Sequence, residues 1–215
     1  MHHLLQVWFS WVEQWGYLGV FLLMALESSI VPVPSEIVMP PAAYFAAQGQ
    51  LSMVGVIAAG TLGSYFGSIV SYALSKWLGL PVVRRFGKYV FLKPAKLDAA
   101  TAWVQRFGAT GIFFARLLPV VRHLVSIPAG ILSMPFTRFS LATITGAGLW
   151  CTILSLYGAQ VITPEMIHAN DPEAMVRAVK AKLGLIVVGV VVLALAYVAM
   201  LFLRNRASAP NEAKG

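Results

Sequence analysis

The longest uniform signal along the chain is a run of 21 residues, Leu183 to Leu203, that contains no charged side chain. At about 1.5 Å per helical residue it crosses a hydrocarbon core of about 30 Å, and Arg204 and Arg206 close it. Phe139 to Ile162 is a second such run. Leu51 to Ser75 is a third, with Gly55, Gly60, Gly63 and Gly67 offering small surfaces for the close approach of another helix. These three segments predict transmembrane helices.

Two further stretches are apolar but carry prolines and charges where a straight span would need neither. Gly16 to Gln50 contains Glu27, Pro32, Pro34, Glu36, Pro40 and Pro41, and Gly108 to Thr137 contains Arg116, Pro119, Arg122, Pro128 and Pro135. Proline lacks an amide donor and clashes with the preceding turn, so helix breaks are expected at Pro32, Pro34, Pro41, Pro119 and Pro128. In lipid, a broken helix survives where it is buried in protein or faces a wet cavity. Each stretch is therefore drawn as a re-entrant helical hairpin.

The two stretches also resemble each other. At an offset of 92, Gly16-Tyr17-Leu18-Gly19-Val20-Phe21 lies over Gly108-Ala109-Thr110-Gly111-Ile112-Phe113. At an offset of 87, Pro32 lies over Pro119, Pro41 over Pro128 and Ala42 over Ala129, the change of register falling around Glu27 and Arg116. An internal repeat follows, each half carrying a broken hairpin and one full span. Repeats of this kind are a recurring plan in secondary transporters, where the interrupted helices meet near the midplane.

The expected architecture is an all-α membrane protein of two inverted-topology halves. The first half-repeat covers 1–80, a basic loop with an amphipathic helix 81–107, and the second half-repeat 108–162. A loop at 163–182, a C-terminal transmembrane helix at 183–204 and a flexible tail at 205–215 complete the chain. Lys76 to Arg106 holds seven Lys or Arg against one Asp, which places that loop and the C-terminus in the cytoplasm, while the charge-balanced Thr163 to Lys182 falls outside. The N-terminal stretch lacks a basic leader region and is read as retained. As a helix it sets Leu5, Trp8, Phe9 and Val12 on one side, suited to lying in the interface. Leu92 to Phe107 reads as a second surface helix, with Pro94 near its start and Asp98 in its early turns.

Composition agrees: 59% hydrophobic and 11% charged residues is far from the balance of a water-soluble fold. The net charge of +8 sits beside apolar spans rather than in a basic module, which argues against nucleic acid. Cys151 is the only cysteine, so no disulfide, CxxC or cysteine metal site is built within one chain, and no metal or cofactor is expected. Trp8, Trp11, Trp15 and Trp103 read as interface aromatics, and Arg138 as a snorkelling anchor.

That leaves Glu27, Glu36, Arg116 and Arg122, ionisable groups at membrane depth. Each costs on the order of 3 kcal/mol there, so such groups face a partner or a cavity. One half supplies acids and the other bases, and two hairpin tips could gather them in one polar chamber. The simplest reading is that they pair to hold the hairpins together. The functional reading gives Arg116 and Arg122 a lipid phosphate, whose oxygens a planar guanidinium matches bidentately, with helix N-termini adding amide donors. Glu27 and Glu36 then become the titratable partners. Burial favours their neutral form and a neighbouring Arg their charged form, leaving carboxyls able to exchange protons. His123 could extend a proton relay, although a lone His is more often a satisfied packing residue.

Glu27 to Gln50, ESSIVPVPSEIVMPPAAYFAAQGQ, and Phe114 to Phe139, FARLLPVVRHLVSIPAGILSMPFTRF, resemble the two signatures of the DedA family. The resemblance spans most of Gly16 to Ile162. Ala115 and Ala43 stand where the family often has Gly. The resemblance implies a bacterial inner-membrane location, two opposed re-entrant hairpins, and functional weight on the acidic pair Glu27 and Glu36 and the arginine pair Arg116 and Arg122. It also implies movement of lipids such as undecaprenyl phosphate or phosphatidylethanolamine, with dependence on proton motive force.

The leading expectation is thus a proton-linked translocase for an anionic lipid headgroup, undecaprenyl phosphate first. The alternatives are a phosphatidylethanolamine scramblase or flippase, and a proton-coupled exporter of small cations or drugs in which the carboxylates bind substrate. An enzyme such as a lipid phosphatase is disfavoured. The chain has no paired-histidine phosphatase layout, no Gly-x-Ser-x-Gly elbow and no HExxH, so no catalytic residue is assigned.

Overall fold

A computed structural model describes residues 2–29, 34–86, 94–118, 121–122 and 124–161. The expected breaks at Pro32 and Pro119, His123, the loop at 163–182, the span at 183–204 and the tail lie outside the described residues. Seven helices follow in order: α1 His2–Trp15, α2 Tyr17–Ser29, α3 Ser35–Ala47, α4 Met53–Phe86, α5 Pro94–Arg116, α6 Ser126–Ile131 and α7 Phe136–Val161.

Two of them, α4 over Met53–Leu80 and α7, are long and apolar enough to cross a membrane. Leu62, Phe66, Leu74 and Trp77 stand out from α4 at helical spacing, as do Leu141, Leu149 and Leu156 from α7. These are apolar faces that water would not reward. The α4 helix outruns the expected Ser75, continuing to Phe86 through a bend at Gly79, where φ is 72°. Part of the expected basic loop is therefore helical.

The repeat is visible in the backbone. Gly16 separates α1 from α2 with φ 51°, and Gly108 bends α5 with φ 54°, 92 residues later. Gly108 thus divides the expected surface helix from the start of the second apolar stretch. Both adopt the left-handed region that glycine enters without a Cβ penalty. The likeness extends upstream: Trp11 stacks on Trp15 with centroids 5.2 Å apart, and Trp103 lies 4.4 Å from Phe107. Gly19 packs on the Trp11 carbonyl, while the Gly111 carbonyl accepts the Trp103 indole N–H at 2.9 Å. Val12, Val20, Val104 and Ile112 are all buried at matching places. The full repeated unit is therefore Trp-Val-x-x-aromatic-Gly-x-x-Gly-aliphatic-Phe.

Packing interlocks the halves. Each leading arm lies on the long helix of its own half, α2 on α4 and α5 on α7, whereas each return arm crosses to the other half, α3 onto α7 and α6 onto α4. Small residues allow these approaches: Gly63 and Gly67 meet the carbonyls of Phe21 and Ala25, Gly130 that of Tyr72, and Gly158 the backbone of Pro40. Both return arms end with the same pair of hydrogen bonds. Gly49 N–H bonds Ala46 and Gln50 N–H bonds Phe45, while Ser133 N–H bonds Gly130 and Met134 N–H bonds Ala129. Those caps stand 84 residues apart, Gly49 at φ 78° and Ser133 at φ 48°, so the return arms align one turn away from the register of Pro41 and Pro128.

Two expected breaks are corrected. Pro34 does stand at the start of α3, in extended conformation, but Pro40 and Pro41 lie inside that helix. Their missing amides leave the Glu36 and Ile37 carbonyls without helical donors. Burial of nearly the whole of α3 outweighs that loss. Pro128 is the third residue of α6, where an amide has no intrahelical acceptor to lose. Cys151 is buried in the core with Trp150 and Leu154.

A Cβ at Gly67 would fall on the Ala25 carbonyl oxygen, whereas one at Gly148 would make ordinary contact with Thr61 at 3.6 Å. Gly67→Ala should therefore lose about 1–3 kcal/mol, and Gly148→Ala much less. Thermal unfolding in detergent checks this, and equal stability of the two variants would contradict the interlocked packing.

Candidate functional site

Local structure separates the four ionisable groups onto different elements. Glu27 is near the end of α2, Glu36 in the first turn of α3, Arg116 at the end of α5, and Arg122 in the non-helical segment before α6. The chain breaks between α2 and α3, so the opposed directions that one continuous helix would give Glu27 and Glu36 do not arise. All four are buried, Arg116 to 1% and Arg122 to 2% exposure. Values so low for a permanent charge demand an account of every donor.

For Arg122 that account is nearly complete. Its Nη2 donates to Glu27 Oε2 at 2.7 Å, and its Nη1 donates to the Ser35 hydroxyl at 3.1 Å. The guanidinium carbon sits 5.5 Å from the centre of the Trp150 ring, within cation–π range. Trp150 Nε1 donates to the same Ser35 oxygen at 3.2 Å. The Ser35 oxygen thus accepts from both the Arg122 guanidinium and the Trp150 indole. Four segments meet here: α2, the start of α3, residue 122 and the middle of α7.

Arg116 is placed differently. Its stem packs on Gly146 of α7, where any side chain would collide with Arg116 Cβ, and its Nη2 donates to Ser126 Oγ at 2.6 Å. Nε and Nη1 are buried and find no partner among the described residues. Glu36 and Arg116 both lie within electrostatic reach of Glu27. The structure thus brings Glu27 and Arg122 into direct contact, keeps Glu36 and Arg116 within range, and leaves one guanidinium short of acceptors.

Ser35, Ser126 and Trp150 were not singled out from the sequence. Ser35 precedes Glu36 and Ser126 follows the arginine signature, so proximity to the charged positions was the available signal. Trp150, 28 residues beyond Arg122, gave none. Trp11 and Trp103 are half-buried against the core clusters, Trp15 is exposed, and Arg138 is exposed at the start of α7.

Comparison with known proteins adds a family. Residues 33–160 match the VTT domain, which is more than half of the chain. Undecaprenyl phosphate transporter A of Bacillus subtilis is 34% identical over 152 residues, covering 71% of this chain and 75% of the relative. The protein of the same name in Staphylococcus aureus is 29% identical over 157 residues, covering 71% and 77%. An alkaline phosphatase-like protein of Lactococcus lactis is 33% identical over 153 residues, covering 69% and 72%. No solved structure matches. With an all-helical set of described elements, two membrane-length helices and these relatives, the chain is a membrane protein of the VTT-domain, or DedA, family.

Proposed function

We propose that this chain carries an anionic lipid headgroup, undecaprenyl phosphate in the first instance, across the bacterial inner membrane, with Glu27 and Glu36 exchanging protons as it does so. The observation that carries this reading is Arg116: a permanently charged, fully buried guanidinium with two nitrogens, Nε and Nη1, that find no acceptor among the described residues. Leaving such donors unmade is costly, on the order of 1–3 kcal/mol each or more for a charged group. Phosphate oxygens supply what the protein withholds. The transporter names of the Bacillus and Staphylococcus relatives favour the same substrate.

In this reading the arms α2–α3 and α5–α6 are opposed re-entrant hairpins of two inverted halves, and the C-terminus faces the cytoplasm. The Glu27–Arg122 contact closes the chamber between them. Arg116 receives the phosphate, Arg122 joins it when Glu27 lets go, and Glu27 and Glu36 take up and release the proton. His123 extends the relay. The small-cation reading leaves the Arg116 donors unanswered, because a cation offers a guanidinium no acceptor, whereas phosphatidylethanolamine offers a phosphodiester with fewer free oxygens than a phosphate monoester. The phosphatase-like name of the Lactococcus relative raises a hydrolytic reading. Release of inorganic phosphate from a polyprenyl phosphate by the purified chain would favour it.

Flipping of a fluorescent polyprenyl phosphate in reconstituted vesicles tests the proposal. Arg116→Lys keeps the charge but loses the planar fork, and the rate should fall at least roughly tenfold. An unchanged rate would remove Arg116 from substrate recognition. With a pH difference imposed across the vesicle, the native chain should flip faster in one direction, and Glu36→Gln should abolish that bias. A bias that survives in Glu36→Gln would overturn the assignment of Glu36 as proton acceptor.

A further inference from the structure

Hydroxyls on the two long helices behave in two ways. Thr61, Ser68 and Ser75 on α4, and Thr145 and Thr152 on α7, each donate to the carbonyl four residues earlier in their own helix. That is the ordinary way for Ser and Thr to satisfy themselves where no water is present. Ser64 on α4 and Thr143 on α7, like Ser155 further along α7, have equivalent carbonyls within the same helices, are wholly buried at 0% exposure, and find no hydrogen-bond partner for the hydroxyl among the described residues. A hydroxyl that forgoes its own helix in a dry interior costs stability with nothing visible in return.

Register brings Ser64 and Thr143 together. The helices α4 and α7 run antiparallel: Gly60 meets Cys151, Thr61 meets Gly148, Tyr65 bonds Ser140 at 2.8 Å, and Tyr72 stacks on Phe139 at 4.6 Å. Rising numbers on one helix meet falling numbers on the other, which sets Ser64 at the level of Thr143. Gly146, against which the Arg116 stem is pressed, lies one turn along α7 from Thr143. Thr143 therefore lies beside the α5–α7 contact that seats the Arg116 stem. The guanidinium itself is held by Ser126 of α6, and α6 packs on α4, the helix that carries Ser64. Three groups with donors unmatched among the described residues, Ser64 Oγ, Thr143 Oγ1 and the Arg116 guanidinium, thus belong to elements packed around one region.

We propose that Ser64 and Thr143 complete a dry subsite with Arg116 for a phosphate monoester, the two hydroxyls donating to phosphoryl oxygens that the guanidinium also binds. The inference rests on the headgroup reading of Arg116 and names the residues that shape its selectivity. Two neutral donors beside one cation favour a compact phosphate with several free oxygens over a diester, which offers fewer. The same chemistry fits a lipid phosphate or free inorganic phosphate. The apolar outward faces of α4 and α7 select the lipid as the source.

The test is equilibrium binding of a fluorescent undecaprenyl phosphate analogue to the full chain in phosphatidylcholine nanodiscs, alongside thermal unfolding. Ser64→Ala and Thr143→Val should each weaken binding by roughly tenfold, the worth of a hydrogen bond to a charged group. Neither should lower the melting temperature, because each removes a polar atom that has no partner among the described residues. Ser68→Ala and Thr145→Val, whose hydroxyls bond their own helices, should bind as the native chain does.

Loss of affinity in Arg116→Lys with native affinity in both Ser64→Ala and Thr143→Val would overturn the hydroxyl subsite while leaving the headgroup reading intact. Native affinity in Arg116→Lys would sink both. A fall in stability without a fall in affinity in Ser64→Ala and Thr143→Val would show that the hydroxyls serve the fold, and would also overturn the subsite. Millimolar inorganic phosphate should not displace the analogue. Phosphate binding that depends on Ser64 and Thr143, in a chain that does not bind the lipid, would overturn the lipid assignment.

Discussion

A charge pair cannot sit in a membrane protein's interior unless each ion finds its counterpart, and here the 2.7 Å contact between Arg122 and Glu27 meets that condition. The contact joins positions 95 residues apart, one from each half of the chain. Neither ion could be buried without the other. Ser35 and Trp150 extend the constraint, because the Ser35 hydroxyl links Arg122 to the indole of α7. The start of α3, the end of α2 and the middle of α7 are thereby held at one point, with residue 122 between them.

Around that point the small residues do the spatial work. Gly63 and Gly67 let α2 lie on α4, Gly158 lets α3 cross to α7, and Gly130 lets α6 cross to α4. Because each return arm packs on the other half's long helix, neither half can move without disturbing its partner's packing. Gly146 fixes the Arg116 stem while Ser126 holds one end of its guanidinium, leaving Nε and Nη1 without an acceptor among the described residues. The two arginines, six residues apart, are thus held in different ways, Arg122 by a carboxylate and Arg116 by a hydroxyl.

Much of this was legible in the sequence because bilayer depth and helical rise leave few ways to arrange apolar runs. The spans at Leu51 and Phe139, the division at Gly108 and the burial of Glu27, Glu36, Arg116 and Arg122 all follow from where polar groups interrupt those runs. The repeat was read from Gly16 onward, although its Trp-Val portion begins at Trp11. The aromatics there had been assigned to an interface, and their pairing with Gly19 and Gly111 shows only in three dimensions. Pro41 and Pro128 misled for opposite reasons. The first is tolerated because tertiary burial outweighs local propensity, the second because a first-turn proline loses nothing. Ser35, Trp150, Ser64 and Thr143 carry no periodic mark, and their roles depend on contacts that span the chain.

The central claim, that Glu27 and Arg122 hold the two halves as a mutually dependent ion pair, is tested most directly by a double-mutant cycle on the purified full chain. Glu27→Gln and Arg122→Gln should each reduce unfolding stability by about 3–5 kcal/mol, since each strands a buried charge. The double variant should recover a large part of that loss, giving a coupling energy well above 1 kcal/mol. Additive losses, with the double variant as unstable as the sum of the singles, would contradict it.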